Sequence, residues 1–250
     1  MQEKETASFF YRKAIKDYIT EFVMLFAAVT LGFFAENLRE GYAERRLEIQ
    51  LMKSMVSDLE RNEELLLSQQ AALTTRKVAC DSIAYYFNQS DIKKHGAELY
   101  MYGRRLGYYG GEYPLSSRSL DQLKNSGLFS IISQDVVADS LSNYDNLKTQ
   151  YEQRIKWYFE DVKKVQDENK NVFDTRVFEK ASVYTNTYTF QILKPEGNPA
   201  LLTYDKNDLQ KYYNNFYYLK KNTEVQMRAV VELINSTTAL KSLIIKSYEF

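Results

Sequence analysis

Few residues of this chain have the types and spacing that chemistry needs. It holds one histidine, His95, and one cysteine, Cys80. A structural zinc site takes four Cys or His ligands and a catalytic one three protein ligands, so these two make no zinc centre. They could pair as an activated nucleophile, but no motif brings them together. A Ser-His-Asp arrangement around His95 has no nucleophile elbow beside it. There is no P-loop, no G-x-G-x-x-G and no EF-hand loop, and no cofactor is expected. Gly103, Gly107, Gly110 and Gly111 lie in a turn-rich stretch and read as turn formers rather than a phosphate cradle. Tyr108, Tyr109 and Tyr113 share that stretch and form either an exposed contact patch or buried loop packing.

Two carboxylates stand out by position. Glu21 and Glu36 bracket fourteen uncharged residues, 22–35. Rings of such carboxylates can pass ions through an assembly of helices. At the two ends of a membrane span they would instead meet headgroups and water, where a carboxylate costs far less than at mid-bilayer.

The element between them must therefore be settled first. Residues 18–35 read YITEFVMLFAAVTLGFFA. A span takes about 20 residues, and the uncharged run reaches that length when extended to 18–38. Phe9, Phe10, Tyr11 and Tyr18 precede it, and Phe33 and Phe34 lie near its close, as in an interfacial aromatic belt. A cleaved signal peptide fits poorly, because seventeen polar or mixed residues come first and no small-x-small site follows. A buried core helix is the remaining alternative. Basic residues flank both sides equally: Lys4, Arg12, Lys13 and Lys16 before, Arg39, Arg45, Arg46 and Lys53 after. The positive-inside rule thus sets no orientation. Within the run, Ala28, Gly32 and Ala35 recur at i, i+4, i+7, a spacing that lets helices approach closely in lipid.

The apolar pattern does not stop at Glu36. One series in sevens runs Ala28, Ala35, Tyr42, Ile49, Val56. A second runs Leu31, Leu38, Arg45, Met52, Leu59, Leu66. Residues 33–90 hold no proline and one glycine, Gly41, so the spacing predicts one helix leaving the membrane and continuing for many turns. Its wet face is expected to carry Glu36, Arg39, Glu40, Glu44, Arg46, Glu48 and Lys53.

Composition agrees with a helical chain. Only 9 glycines and 3 prolines serve 250 residues, too few for a turn-rich β fold. Lys+Arg and Asp+Glu balance at 33 each, which argues against nucleic acid as a partner. Further helices are expected over 92–106, from Ser117 or Ser119 through Leu123 with Gly127 as the stop, from about Ser133 to Asn171, and from Asp205 or Asn207 onward. The third carries Val137, Leu141, Tyr144, Lys148, Tyr151, Ile155, Tyr158, Val162 and Val165 at steps of four and three. Residues 182–193 alternate and predict at most a short strand pair. The expectation is an all-α chain: a segment 1–17, a transmembrane helix 18–38, and an elongated helical bundle over 39–250.

In this order the pieces resemble a group of uncharacterised single-span membrane proteins of Bacteroidota. The likeness is strongest over SLDQLKNSGLFSIISQDVVADSLSNYDNL at 119–147, with its Leu-Lys-x-Ser-Gly turn, Leu/Ile stretch and Tyr-bearing helix. The chain departs from the group after the span, where Ala35-Glu36-Asn37 replaces a Gln/Asn- and Trp-containing stretch. The resemblance implies a cytoplasmic N-terminus and a periplasmic domain at the inner membrane, and no catalytic residues. The leading expectation is a non-enzymatic, self-associating interaction or assembly protein of the bacterial envelope, its partners the lipid bilayer, further copies and other envelope proteins. The runner-up is an ion conduit with Glu21 and Glu36 rings, and the third class an enzyme built on the 107–117 loop.

Overall fold

Six α-helices and one two-stranded sheet make up the regular structure in the computed structural model, which describes residues 2–107, 114–184 and 190–250, and side chains over 18–107, 114–183 and 191–250. In chain order they are α1 (Gln2–Phe87), a 3-10 turn at Ile92–His95, α2 (Gly96–Leu106), α3 (Arg118–Asn125), and a second 3-10 turn at Leu128–Ile131. Then follow α4 (Asp135–Val172), α5 (Thr175–Lys180), β1 (Ser182–Tyr184), β2 (Phe190–Ile192) and α6 (Lys206–Tyr248). The all-α expectation holds. The strands pair antiparallel, Ser182 opposite Ile192. No break occurs at Gly41.

The boundaries follow local chemistry. Asp205 caps α6, its carboxylate accepting from the N–H groups of Asn207 and Asp208 at 2.8 and 3.2 Å. Gly127 follows the end of α3 at φ 70°, a left-handed conformation that glycine adopts without strain. The short α5 has no counterpart in the sequence reading. Asp174 starts it by accepting from the Arg176 N–H at 3.0 Å. The helix expected over 92–106 begins instead as a 3-10 turn, and α2 proper starts at Gly96. A Cβ there would lie 2.0 Å from the Pro199 carbonyl oxygen.

The chain divides into two compact units, residues 1–53 and 54–250. In the second, α4 runs parallel to residues 54–87 of α1, since Asn62 meets Tyr144 and Arg76 meets Tyr158. α6 runs antiparallel to both, with Lys241 on Glu63 and Lys220 on Asp81. One end of this bundle is closed by packed rings. Phe87 stacks on Tyr212, which meets Phe173 edge-on, and Phe173 in turn packs on Tyr100 and Phe178. Such contacts account for much of the aromatic richness.

Several side chains lie elsewhere than the periodicity expected. Of the two sevenfold series, Met52, Leu59 and Leu66 are buried, but Leu31, Leu38, Arg45 and Tyr42 are exposed, and Ile49 and Val56 only half-buried. Met55, one residue before Val56, is the core position. Glu48, assigned to the wet face, is buried, and Arg45 donates to it at 2.6 Å. Residues 39–46 are exposed, and the second compact unit begins at Ser54.

Candidate membrane surface and buried polar seam

Within the first unit, every residue from Tyr18 to Arg46 is exposed. Residues turn 100° apart on a helix, so Phe22, Val23, Met24, Leu25 and Phe26 place apolar groups on all sides. A helix half-immersed in water keeps one apolar stripe, whereas one apolar all round has an apolar medium around it. Thr30, the only hydroxyl within 22–35, donates to the Phe26 carbonyl at 2.8 Å and so carries its own acceptor. Residues 18–38 span about 31 Å at 1.5 Å per residue, and a bilayer core is about 30 Å thick. Among the described residues this is the one helix long and apolar enough to cross a membrane, judged by length and composition, and no part of its most apolar stretch is buried.

The carboxylates at its ends differ. Glu36 accepts from Arg39 Nε at 3.1 Å and from Nη2 at 2.5 Å, an exposed pair one turn apart. Glu21 lies fifteen residues earlier, about 22 Å along the axis, so each would form its own ring in a parallel assembly. Ala28, Gly32 and Ala35 fall within a sector of about 60°. All three are exposed, and a Cβ on Gly32 would meet nothing within 4 Å. Tyr108, Tyr109 and Tyr113 lie outside the described residues.

The second unit holds a feature that sequence reasoning missed. Asn62, Gln69 and Arg76 recur every seven residues on α1, between the core residues Met55 and Ile83. Three tyrosines, Tyr144, Tyr151 and Tyr158, recur at the same spacing on α4, and the first and last of them meet Asn62 and Arg76. Asn62 Nδ2 donates to the Tyr144 hydroxyl at 2.9 Å, and Arg76 donates to the Tyr158 hydroxyl. On α6, Thr237 lies beside Tyr144 and Thr223 beside Tyr158. Burial raises both phenols above their ordinary range, opposed by Asn62 at Tyr144 and by Arg76 at Tyr158. The middle rung is different. Gln69 and Tyr151 are buried, yet among the described residues Gln69 Oε1 and the Tyr151 hydroxyl have no hydrogen-bond partner. The signal was present in the sequence as a sevenfold row of polar residues, 62, 69 and 76.

Beside the first rung, Asp58 and Asn62 hold the start of α3. Asp58 accepts from the Ser119 N–H at 2.9 Å and the Ser116 hydroxyl at 2.7 Å, and Asn62 exchanges two bonds with the Ser116 backbone. The cap of α3 is thus supplied from α1, not by Ser117 or Ser119. Burial pushes the Asp58 carboxyl up, but the bonds from Ser119 and Ser116 outweigh it and hold the group below the usual carboxylate range.

The residues first considered for catalysis lie in separate settings. Cys80 is buried, and burial pushes its thiol up to about 12, so it stays protonated and unreactive at neutral pH. His95 is half-buried with its ring 5.1 Å from that of Tyr86. Gly103 and Gly107 permit close packing against Phe173 and Asn169. Among the described residues no group of three His, Cys, Asp or Glu is placed to hold a metal ion. No protein-family model matches the chain, and no curated protein or solved structure is significantly similar to it.

Proposed function

We propose that this chain is a membrane-anchored, non-enzymatic interaction or assembly protein of the bacterial envelope. Residues 18–38 cross the inner membrane once, the N-terminus is cytoplasmic, residues 39–250 are periplasmic, and the protein self-associates. One observation carries the reading: an all-round apolar helix of spanning length whose residues 18–38 are all exposed among the described residues. The orientation comes from the resemblance to the Bacteroidota single-span proteins. Self-association is supported by the small-residue sector at Ala28, Gly32 and Ala35. The buried, protonated Cys80 favours a binding role over a nucleophilic one. The ion-conduit reading has less support, because Arg39 already neutralises Glu36.

The test is alkaline extraction and vesicle flotation of the full chain, followed by cross-linking in lipid and an alkaline phosphatase fusion at the C-terminus. Retention with vesicles, cross-linked multimers and an active fusion are expected. Recovery as a monodisperse monomer without detergent would overturn the anchor. A strict monomer in lipid would overturn self-association, and an inactive but stable fusion the orientation.

A further inference from the structure

A groove of about 380 Å³ runs between α4 and α6 in the second unit, lined by Leu147, Tyr151 and Arg154 on one wall and Val225, Arg228 and Glu232 on the other. The ion pairs nearby, Lys148–Glu152, Asp161–Lys164 and Lys221–Glu224, use other residues and leave both arginines without a carboxylate among the described residues. Arg154 and Arg228 are exposed, one on each wall. Arginine presents paired N–H donors that match a carboxylate. Leu147 and Val225 give the lining an apolar part.

A second, independent observation marks the same place. Tyr151 lines the groove at 2% exposure, and its hydroxyl has no partner. Gln226, next to Val225, is equally buried, with Nε2 unpartnered. Tyr144 and Tyr158, one sevenfold step to either side, both have partners. Buried polar groups are nearly always hydrogen-bonded, and these two, without partners among the described residues, lie on or next to residues lining the groove.

We propose that this groove binds a small amphipathic monocarboxylate. Arg154 and Arg228 clamp the carboxylate from opposite walls, and the apolar body lies along Leu147, Val225 and the Tyr151 ring. Glu232, one turn beyond Arg228, repels a second negative charge and so selects against dicarboxylates. The carboxylate can belong to a free small molecule or to a peptide C-terminus. The site lies wholly in the second unit and does not depend on the membrane reading.

The sole tryptophan, Trp157, follows Arg154 by three residues on α4 and is exposed, so its emission serves as the reporter. The full chain in nanodiscs is titrated with N-acetyl-leucine, N-acetyl-leucine amide, succinate, and a tripeptide ending in leucine with a free or amidated C-terminus. Saturable binding of the acid forms is expected, with the amides and succinate at least about tenfold weaker, since charge-assisted hydrogen bonds are the strong ones. Arg154→Gln and Arg228→Gln should each weaken the acid by a similar factor. Tighter binding of the free tripeptide than of N-acetyl-leucine assigns the carboxylate to a chain terminus, and the reverse to a small molecule. No saturation by either acid up to about 10 mM, equal binding of acid and amide, or binding unchanged in both arginine variants overturns the proposal. The acid–amide comparison needs no variant and stands even if a substitution impairs folding.

Discussion

Removing one hydroxyl from each rung of the buried polar seam should give effects of opposite sign. In Tyr144→Phe the lost hydroxyl is the acceptor for Asn62 Nδ2. Asn62 is 1% exposed, and its Nδ2 keeps only the donation to the Ser116 carbonyl, so one N–H is left buried and unpaired. A bond lost in this way costs about 1–3 kcal/mol. In Tyr151→Phe no bond is lost, because the hydroxyl has no partner. The phenol oxygen is desolvated without compensation, and deleting it should leave stability unchanged or raise it by up to about 2 kcal/mol. Tyr158→Phe takes an acceptor from the Arg76 guanidinium and should cost about 1.5–3 kcal/mol, although a Phe ring retains the cation–π contact now made 5.3 Å from the guanidinium carbon. The assay is urea unfolding of the full chain in nanodiscs, followed by Trp157 emission and far-UV circular dichroism, with slopes compared so that only midpoint shifts count. If Tyr151→Phe is destabilised as much as Tyr144→Phe, the assignment of satisfied and orphaned rungs is wrong.

Three further outcomes follow from the same geometry. Asp58 is held below its ordinary pKa of 3.8 in the folded state, so its contribution is complete above that pH and disappears as pH falls through the folded value. Asp58→Asn should therefore flatten the acid limb of a stability–pH curve below pH 3.8, and an unaltered limb would count against the α3 clamp. Gly96→Ala drives a Cβ to 2.0 Å from the Pro199 carbonyl oxygen and should destabilise by about 1–3 kcal/mol. Gly41→Ala meets nothing within 4 Å and should favour the helix by up to about 1 kcal/mol, a contrast readable by thermal denaturation. Val29→Arg, near the middle of the apolar run, should oppose insertion by about 3–4 kcal/mol and shift the chain toward the alkaline-extractable fraction, whereas unchanged extraction would argue against a span there.

The sequence by itself determined the kind of elements and most of their limits. Long stretches without Gly or Pro leave helix as the cheapest way to satisfy the backbone, and Asp205 and Gly127 mark ends through bonds made within a few residues. The all-round apolar run at 22–35 was equally legible, because hydropathy is a property of the residues themselves. Tertiary structure decided what depends on partners distant in the chain. That Glu48 is buried and Val56 only half-buried is a matter of which side of α1 the chain covers, and a heptad count with polar residues in it does not fix that. Asn62, Gln69 and Arg76 are polar residues among core positions of α1, and only the fold brings Tyr144 and Tyr158 opposite the first and last of them. The α3 cap comes from Asp58, 61 residues before Ser119, which no local rule could place. The groove between Arg154 and Arg228 exists only because α6 lies along α4. Short-range bonding made the helices readable, and long-range pairing alone turned polar side chains into a seam, a clamp and a site.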